Sequence, residues 1–438
     1  MTDRVVTAGK IASPPRGLPA LLTDAASHQQ AGNLSAAARD LDAALAIDPH
    51  HAAALNARGI IELAKDDPAQ AAGLFARAAD ADPAAPPLWL NLAKACRLLG
   101  DDAGAKAALE RVLSIDQAHL TALIRLAELH ERLGELGLAT ERWTAVLSLC
   151  SAMADLSPEL QKLLDHAGAF VRERTESLAA KISSGLADQL AATSARDRRR
   201  ITVGAEAMLG KRRIFTNQCH GFHYPFLPAD EYFDRELFPW LEELEAATAI
   251  VRKELEAILS TSDPGLRPYV EMASGTPQNL WSELDHSLDW SSLHLWQEGR
   301  RIDEACARAP KTVALLESLP LACIPNRAPT VFFSILKAGK HIPPHTGVTN
   351  TRAIIHLPLI VPDGCEFRVG GEVRTWREGE AFAFDDTIEH EAWNRSAQDR
   401  AVLILDVWNP HLSKAEQEMI VRLFEIADSS RPDSLVRG

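Results

Sequence analysis

His345, His390 and Arg400 are the residues on which a chemistry can be built. The two histidines lie far apart in sequence on short β-type runs, and the arginine follows the second by ten residues. Imidazole ligates Fe(II), Zn and Cu alike, so the remaining ligands must discriminate between metals. Two-histidine-one-carboxylate sites normally place His-x-Asp or His-x-Glu at the first ligand, whereas this chain reads His345-Thr346-Gly347. Either Asp385, Asp386 or Glu389 supplies the missing acid, or water does. A histidine before a glycine is also compatible with a buried structural role. Arg400 changes that weighing. It precedes the five apolar residues 401–405, which places it at the start of a buried strand. If one tight turn precedes that strand, the guanidinium faces the cavity of the second histidine. There it can grip a carboxylate with two parallel hydrogen bonds, a geometry lysine does not match.

The elements that must position these residues are short apolar runs separated by Gly, Pro and Asp: 331–336, 351–359, 366–369, 381–384 and 401–407. Several strands at this spacing suggest a jelly roll or barrel rather than a parallel sheet. Upstream, an aromatic- and proline-rich stretch (222–240) leads into a helix over 241–259, and Ala309-Pro310 opens a second helix to residue 319. His220, His223, His286 and His294 either line a substrate mouth or serve aromatic packing. His341 reads as a loop residue and His411 as exposed.

The N-terminal third has a different organisation. Ile47-Asp48-Pro49, Ala81-Asp82-Pro83 and Ile115-Asp116-Gln117 recur every 34 residues. Gly32, Asp66, Gly100 and Gly134 keep the same step, as do Leu41, Phe75, Leu109 and Trp143. The small residues Gly59, Ala93 and Ala127 fall where two helices must approach closely. This 34-residue unit resembles the tetratricopeptide repeat, in which stacked helix pairs supply a core that no single pair could. The array spans 17–150 and offers either a concave surface for a peptide or partner protein, or a scaffold or dimerisation arm. His50, His51, His119 and His130 read as surface residues. A helical cap and linker follows over 151–213, preceded at the start of the chain by a disordered leader over 1–16, and a second domain occupies 214–438.

Length and composition bound the rest. A chain of 438 residues is too long for one ordinary core. A net charge of −14 argues against a general nucleic-acid binder. The one basic run, Arg196 and 198–200 with 211–213 behind it, reads as a solvated linker. Six scattered cysteines without a CxxC pair read as reduced thiols. With no apolar leader and no membrane-length apolar run, the expected location is the cytoplasm.

Pro344-His345-Thr346-Gly347, Thr349-Asn350-Thr351-Arg352, His356-Leu357, Arg374-Thr375-Trp376, Phe384-Asp385-Asp386, Glu389-His390-Glu391 and Asp406-Val407-Trp408 together closely resemble the aspartyl/asparaginyl beta-hydroxylase family. The likeness covers roughly 215–415. It implies a multidomain α + β chain: an α-solenoid of repeats followed by a double-stranded β-helix oxygenase domain with flanking helices. It implies Fe(II), 2-oxoglutarate as co-substrate, and O2. His345 and His390 would be the iron ligands with no protein carboxylate, which accounts for Gly347. Arg400 would bind the distal carboxylate of 2-oxoglutarate, with Ser334 and His356 as further co-substrate contacts. Asp386 would stand near metal-bound water, and Arg352 would be a substrate-side cation. The implied substrate is the β-carbon of Asp or Asn in a polypeptide docked with help from the repeats, and the family also includes hydroxylases of lipid acyl chains. One departure bears on that choice: the family pattern carries a second arginine two residues after Arg352, where this chain has Ile354.

Overall fold

The structure, a computed structural model, describes residues 16–430. The leader expected over 1–16 lies outside the described residues, Arg16 apart. The chain divides between Ala187 and Asp188 into two units.

In the first unit the described residues form eight helices, from Leu18–Gln30 to Leu136–Cys150, followed by a long helix, Pro158–Gly185. The 34-residue period is a period of helix ends. Asn33, Asp67 and Asp101 each accept a hydrogen bond from a backbone N–H three residues on, satisfying a donor that the helix itself leaves open. Gly32, Asp66, Gly100 and Gly134 all take left-handed backbone angles (φ 63–75°), so the step recurs as a turn shape and Asp66 fills a slot that glycine holds elsewhere. Gly59 is small for a packing reason: a Cβ there would stand 2.7 Å from the ring of buried Phe75. The helix Pro158–Gly185 buries Leu164 and Ala167 against Trp143, Val146 and Cys150 of the last repeat. His130 departs from the surface role expected for it, since it is 2% exposed and bonded to Glu135 at 2.5 Å.

The second unit begins upstream of the expected boundary at 213/214, and its first residues explain why. Arg196 and Arg199, on the helix Ala195–Met208, pair with Asp234 and Glu372, and Arg212 beyond that helix pairs with Glu231, so the basic run is fastened to the domain rather than a solvated linker. The helix expected over 241–259 is two, Leu241–Ala246 and Thr248–Leu259.

Eleven described strands make two sheets: β1 (Arg267–Pro268), β2 (Trp290–Gln297), β3 (Arg300–Arg301), β4 (Val331–Leu336), β5 (His341–His345), β6 (Arg352–Ile360), β7 (Cys365–Val369), β8 (Glu372–Thr375), β9 (Phe382–Phe384), β10 (His390–Asn394) and β11 (Arg400–Trp408). The larger sheet runs β1-β2-β4-β11-β6-β9 with β3 beside β2, and the smaller runs β5-β10-β7-β8. Every pairing is antiparallel.

Side chains alternate across a strand, and in the large sheet the alternation separates two environments. Odd-numbered residues of β4, β6 and β11, such as Phe333, Ile355 and Leu403, join a dry core with Leu241, Leu255 and Leu316 of the covering helices. Even-numbered residues, including Phe332, Ile354 and Ile404, share a second core with Phe367 and Ala392 of the small sheet. The site lies on that even-numbered face.

Candidate active site

A cavity of about 760 Å³ opens between the two sheets. The large sheet gives it Ser334 from β4, Arg352, Ile354 and His356 from β6, and Arg400, Ile404 and Asp406 from β11. The small sheet gives it His345 from β5 and His390 from β10. All seven residues singled out from the sequence, Ser334, His345, Arg352, His356, Asp386, His390 and Arg400, line this one space.

His345 and His390 face each other directly in the β5–β10 ladder, with ring centroids 4.1 Å apart. His345 Nδ1 donates to the carbonyl of Pro343 at 2.8 Å, and His390 Nδ1 donates to that of Ile388 at 3.0 Å. These bonds set the tautomer and leave both Nε2 lone pairs free, the state a metal ligand needs. Burial lowers the pKa of both rings, so they are neutral.

The three candidate acids separate cleanly. Asp385 is turned away from the cavity, accepting from Asn217 at 2.6 Å and from Thr387. Glu389 pairs with Arg368. Only Asp386 lines the cavity. Its carboxyl fills the space beside Gly347, where an added Cβ would lie 2.1 Å from Oδ2. Glycine at 347 is thus required by the fold, and no ordinary side chain fits there without moving Asp386. Burial pushes the Asp386 carboxyl up to about 7 despite the nearby Arg352, and its Oδ1 has no hydrogen-bond partner. Among the described residues no cluster of three or more His, Cys, Asp or Glu side chains could hold a metal.

Arg400 is 1% exposed and has no carboxylate partner among the described residues. Its one side-chain hydrogen bond runs to Ser334 Oγ at 3.4 Å, its Nε has none, and burial lowers its pKa to about 10. It therefore stays cationic at neutral pH, a buried charge without a counter-ion, which is costly unless a ligand supplies one. Beside it His356 Nδ1 and Trp376 Nε1 are also unbonded. His356 stacks on Trp376 at 5.4 Å, and the Arg400 guanidinium sits 4.8 Å from the same indole. Of these, Arg400 and His356 line the cavity, and two unsatisfied polar side chains there, with Trp376 packed behind them, suit an anion with several acceptor oxygens.

The route to Arg400 differs from the one-turn hairpin expected. β10 and β11 belong to different sheets, so the chain crosses between them at 395–399. Asn394 fixes that corner by donating to the carbonyls of Leu336, Lys337 and Gln398. Arg352 stands on β6, the strand beside β11. It faces the cavity, but its guanidinium is engaged by Asp406, which also accepts from Thr330 N at 3.0 Å.

The sequence reading missed an aromatic wall. Trp290 donates from Nε1 to Ser334 at 3.1 Å and stacks on Tyr269 at 3.9 Å, while the edge of Trp281 meets His345 at 5.1 Å. Three aromatics within residues 269–290, a stretch rich in turns, were the available signal. His220, His223, His286 and His294 are absent from the cavity lining. His341 stands at the start of β5, bonded to Glu391, and His411 is half-buried against Asp230.

Two sheets thus frame a pair of imidazoles and a guanidinium without a counter-ion in one cavity, and known proteins resemble the domain that carries it. Residues 245–410 match the aspartyl/asparaginyl beta-hydroxylase family model, and residues 62–118 match a tetratricopeptide repeat. The chain therefore carries a domain that matches this family's model together with a match to the tetratricopeptide repeat. Human aspartyl/asparaginyl beta-hydroxylase is 43% identical over 184 residues, covering 42% of this chain and 24% of that protein. Ornithine lipid ester-linked acyl 2-hydroxylase of Rhizobium tropici is 32% identical over 186 residues, covering 42% of this chain and 62% of that protein. The chain spans about a quarter of the length of the human and mouse hydroxylases it matches. Among solved structures, the MamA protein is similar over 38% of this chain and 94% of that one, at 18% identity and a TM-score of 0.31. No helix among the described residues is long and apolar enough to cross a membrane.

Proposed function

We propose that the second unit is an Fe(II)- and 2-oxoglutarate-dependent dioxygenase on a double-stranded β-helix, hydroxylating the β-carbon of Asp or Asn in a polypeptide that the repeats help to dock. The observation that carries this reading is the pairing of two imidazoles with free Nε2 atoms and a buried, partnerless guanidinium in one cavity. His345 and His390 would hold the iron, and Arg400 would take the far carboxylate of the co-substrate, as its missing counter-ion requires. When bound, the ferrous ion and 2-oxoglutarate supply the oxidising power: O2 is split between succinate, formed with CO2, and the hydroxyl group placed on the substrate.

The residues of this chain have four tasks. Ser334, held by the Trp290 indole, steadies Arg400 and offers its hydroxyl to the same carboxylate. His356, kept neutral by burial and by the adjacent Arg400, adds a polar edge without adding charge. Asp386 stands beside Gly347 with an unbonded oxygen and a pKa near neutrality, so it can exchange hydrogen bonds with water at the imidazole pair. Arg352, held by Asp406, presents a fixed guanidinium edge to the substrate end.

Ile354 supports a second reading. It puts an apolar side chain into the lining two residues from Arg352, and a lipid acyl hydroxylase is among the relatives. Loading the protein anaerobically with Fe(II) and 2-oxoglutarate, admitting O2, and following succinate and substrate mass tests both. One added oxygen on an Asp or Asn peptide supports the first reading, an oxygen added only to an acyl lipid supports the second, and succinate formation that ignores Fe(II) contradicts both.

A further inference from the structure

The two ends of the cavity differ in chemistry. Arg400 opens β11 and Asp406 stands six residues further along it, so the ends lie about 20 Å apart. The Arg400 end offers a cation without a counter-ion. Arg352 opens β6 opposite Trp408, at the Asp406 end. There its guanidinium is already engaged by Asp406, and a second carboxyl, Asp386, stands close enough to feel its charge. One cation between two acids leaves no surplus positive charge to attract a carboxylate.

The polar tips at that end are nevertheless unsatisfied. Asp386 Oδ1 has no hydrogen-bond partner. The hydroxyl of Tyr269 makes no hydrogen bond to a described residue, although the ring is fixed by stacking on Trp290 at 3.9 Å and on Phe332 at 5.4 Å. The main chain fixes it as well, since Tyr269 N donates to the carbonyl of Trp290 at 3.0 Å. The charges that reach this phenol are those of Asp406, Asp386 and Arg352, and Arg352 feels Tyr269 in turn, so these four lining residues share one end of the cavity. Burial raises the Tyr269 pKa to about 12, which keeps the phenol a neutral donor.

A phenol and a guanidinium donate, whereas an ionised carboxyl only accepts. A ligand group that meets both must carry an acceptor and a donor side by side. A carboxamide does: its oxygen accepts from Tyr269 and Arg352 while its NH2 donates to Asp386. A carboxylate of the same shape brings no proton to Asp386 and sets like charges against each other. We propose that Tyr269, Arg352 and Asp386 read a side-chain carboxamide at this end of the cavity, selecting asparagine over aspartate as the residue to be modified. One oxygen of Asp386 makes this contact and the other remains for water beside the imidazole pair. An arginine at 354 would turn the balance toward a carboxylate, and the lining has isoleucine there. That the bound residue is hydroxylated rests on the dioxygenase reading, whereas its recognition as an amide does not.

The test uses the full chain and two capped peptides identical except for a central Asn or Asp. They are titrated anaerobically with Fe(II) and 2-oxoglutarate present, at mildly alkaline pH, where a carboxyl titrating at about 7 is ionised. Calorimetry should show the Asn peptide binding about tenfold or more tightly than the Asp peptide. Tyr269→Phe keeps the stacked ring and should weaken the Asn peptide about three- to tenfold, the scale of one hydrogen bond. Asp386→Asn should bring the preference toward one, because an amide there can turn a donor toward a carboxylate. Each protein is its own control in that ratio, so a general loss of affinity does not imitate the change. Equal or tighter binding of the Asp peptide, an Asn affinity untouched by Tyr269→Phe, a preference untouched by Asp386→Asn, or binding of neither peptide would overturn the proposal. Admitting O2 then separates the two readings. An Asn preference without succinate removes the dioxygenase reading and leaves this one, whereas succinate formed equally with either peptide leaves that reading and removes this one.

Discussion

The two faces of the large sheet are built from the same three strands, yet they do opposite work. On the odd-numbered face, Phe333, Ile355, Leu357, Leu403 and Leu405 are wholly buried among helices. One residue away on the even-numbered face stand Ser334, His356, Arg400 and Asp406, several with unsatisfied or strained electrostatics. The difference teaches how this domain accommodates a buried cation. Dispersion and hydrophobic burial on one face stabilise strands whose other face carries a buried, uncompensated charge.

That comparison can be broken most forcefully at the small sheet. Replacing His345 or His390 with alanine should reduce metal binding and 2-oxoglutarate turnover to background, measured by metal titration and succinate release, with the melting temperature of the metal-free protein little changed. Next in size, Arg400→Met should weaken 2-oxoglutarate binding about 10- to 100-fold, the scale of a charge-assisted hydrogen bond. The same substitution should raise the melting temperature of the metal-free protein, because it removes an uncompensated buried charge. Phe333→Ala, on the opposite face, should do the reverse and destabilise by about 3–5 kcal/mol in denaturant titrations while the folded fraction keeps its 2-oxoglutarate affinity. A matched loss of function and stability in both variants would erase the distinction between the faces.

Two smaller effects sharpen it. Gly347→Asp restores the His-x-Asp pattern on paper, but its Cβ would collide with the Asp386 carboxyl. Metal affinity should fall rather than rise, as metal titration would reveal. His294, stacked on Phe332, has its pKa lowered to about 4 by burial. Between that value and the ordinary 6.5 the unfolded chain binds a proton that the folded one refuses, so stability falls on acidification through this window. His294→Phe should flatten that limb by about 2 kcal/mol, after discounting for the ring's partial exposure.

How much of this was legible in the sequence depended on how each feature is encoded. The repeats announce themselves because caps and turns at 33, 67 and 101 and at 32, 66, 100 and 134 recur in register. The strands of the large sheet were visible as apolar runs because both their faces are buried. The small sheet was not visible as such: β5 contains Pro343 and Pro344, and β10 mixes Glu391 and Asn394 with its apolar residues, so neither shows a run. The histidines were therefore singled out by residue type and by the arginine ten residues after the second, and the family resemblance then implied them as an iron-ligand pair. Pairings formed only on folding stayed hidden, among them Arg352 with Asp406, the crossing of Arg400 between sheets, and the contact of Asp386 with Gly347. Each depends on which strands become neighbours, and local pattern does not encode that.

The central claim is that two imidazoles and one guanidinium serve a metal and a dicarboxylate jointly. An anaerobic calorimetric titration with Fe(II) and then 2-oxoglutarate tests it most directly, comparing the unaltered chain with His390→Ala and Arg400→Met. The account predicts one metal per chain, 2-oxoglutarate binding that depends on that metal, loss of both in His390→Ala, and loss of only the second in Arg400→Met. Undiminished metal binding without His390, or tight 2-oxoglutarate binding without Arg400, would contradict it.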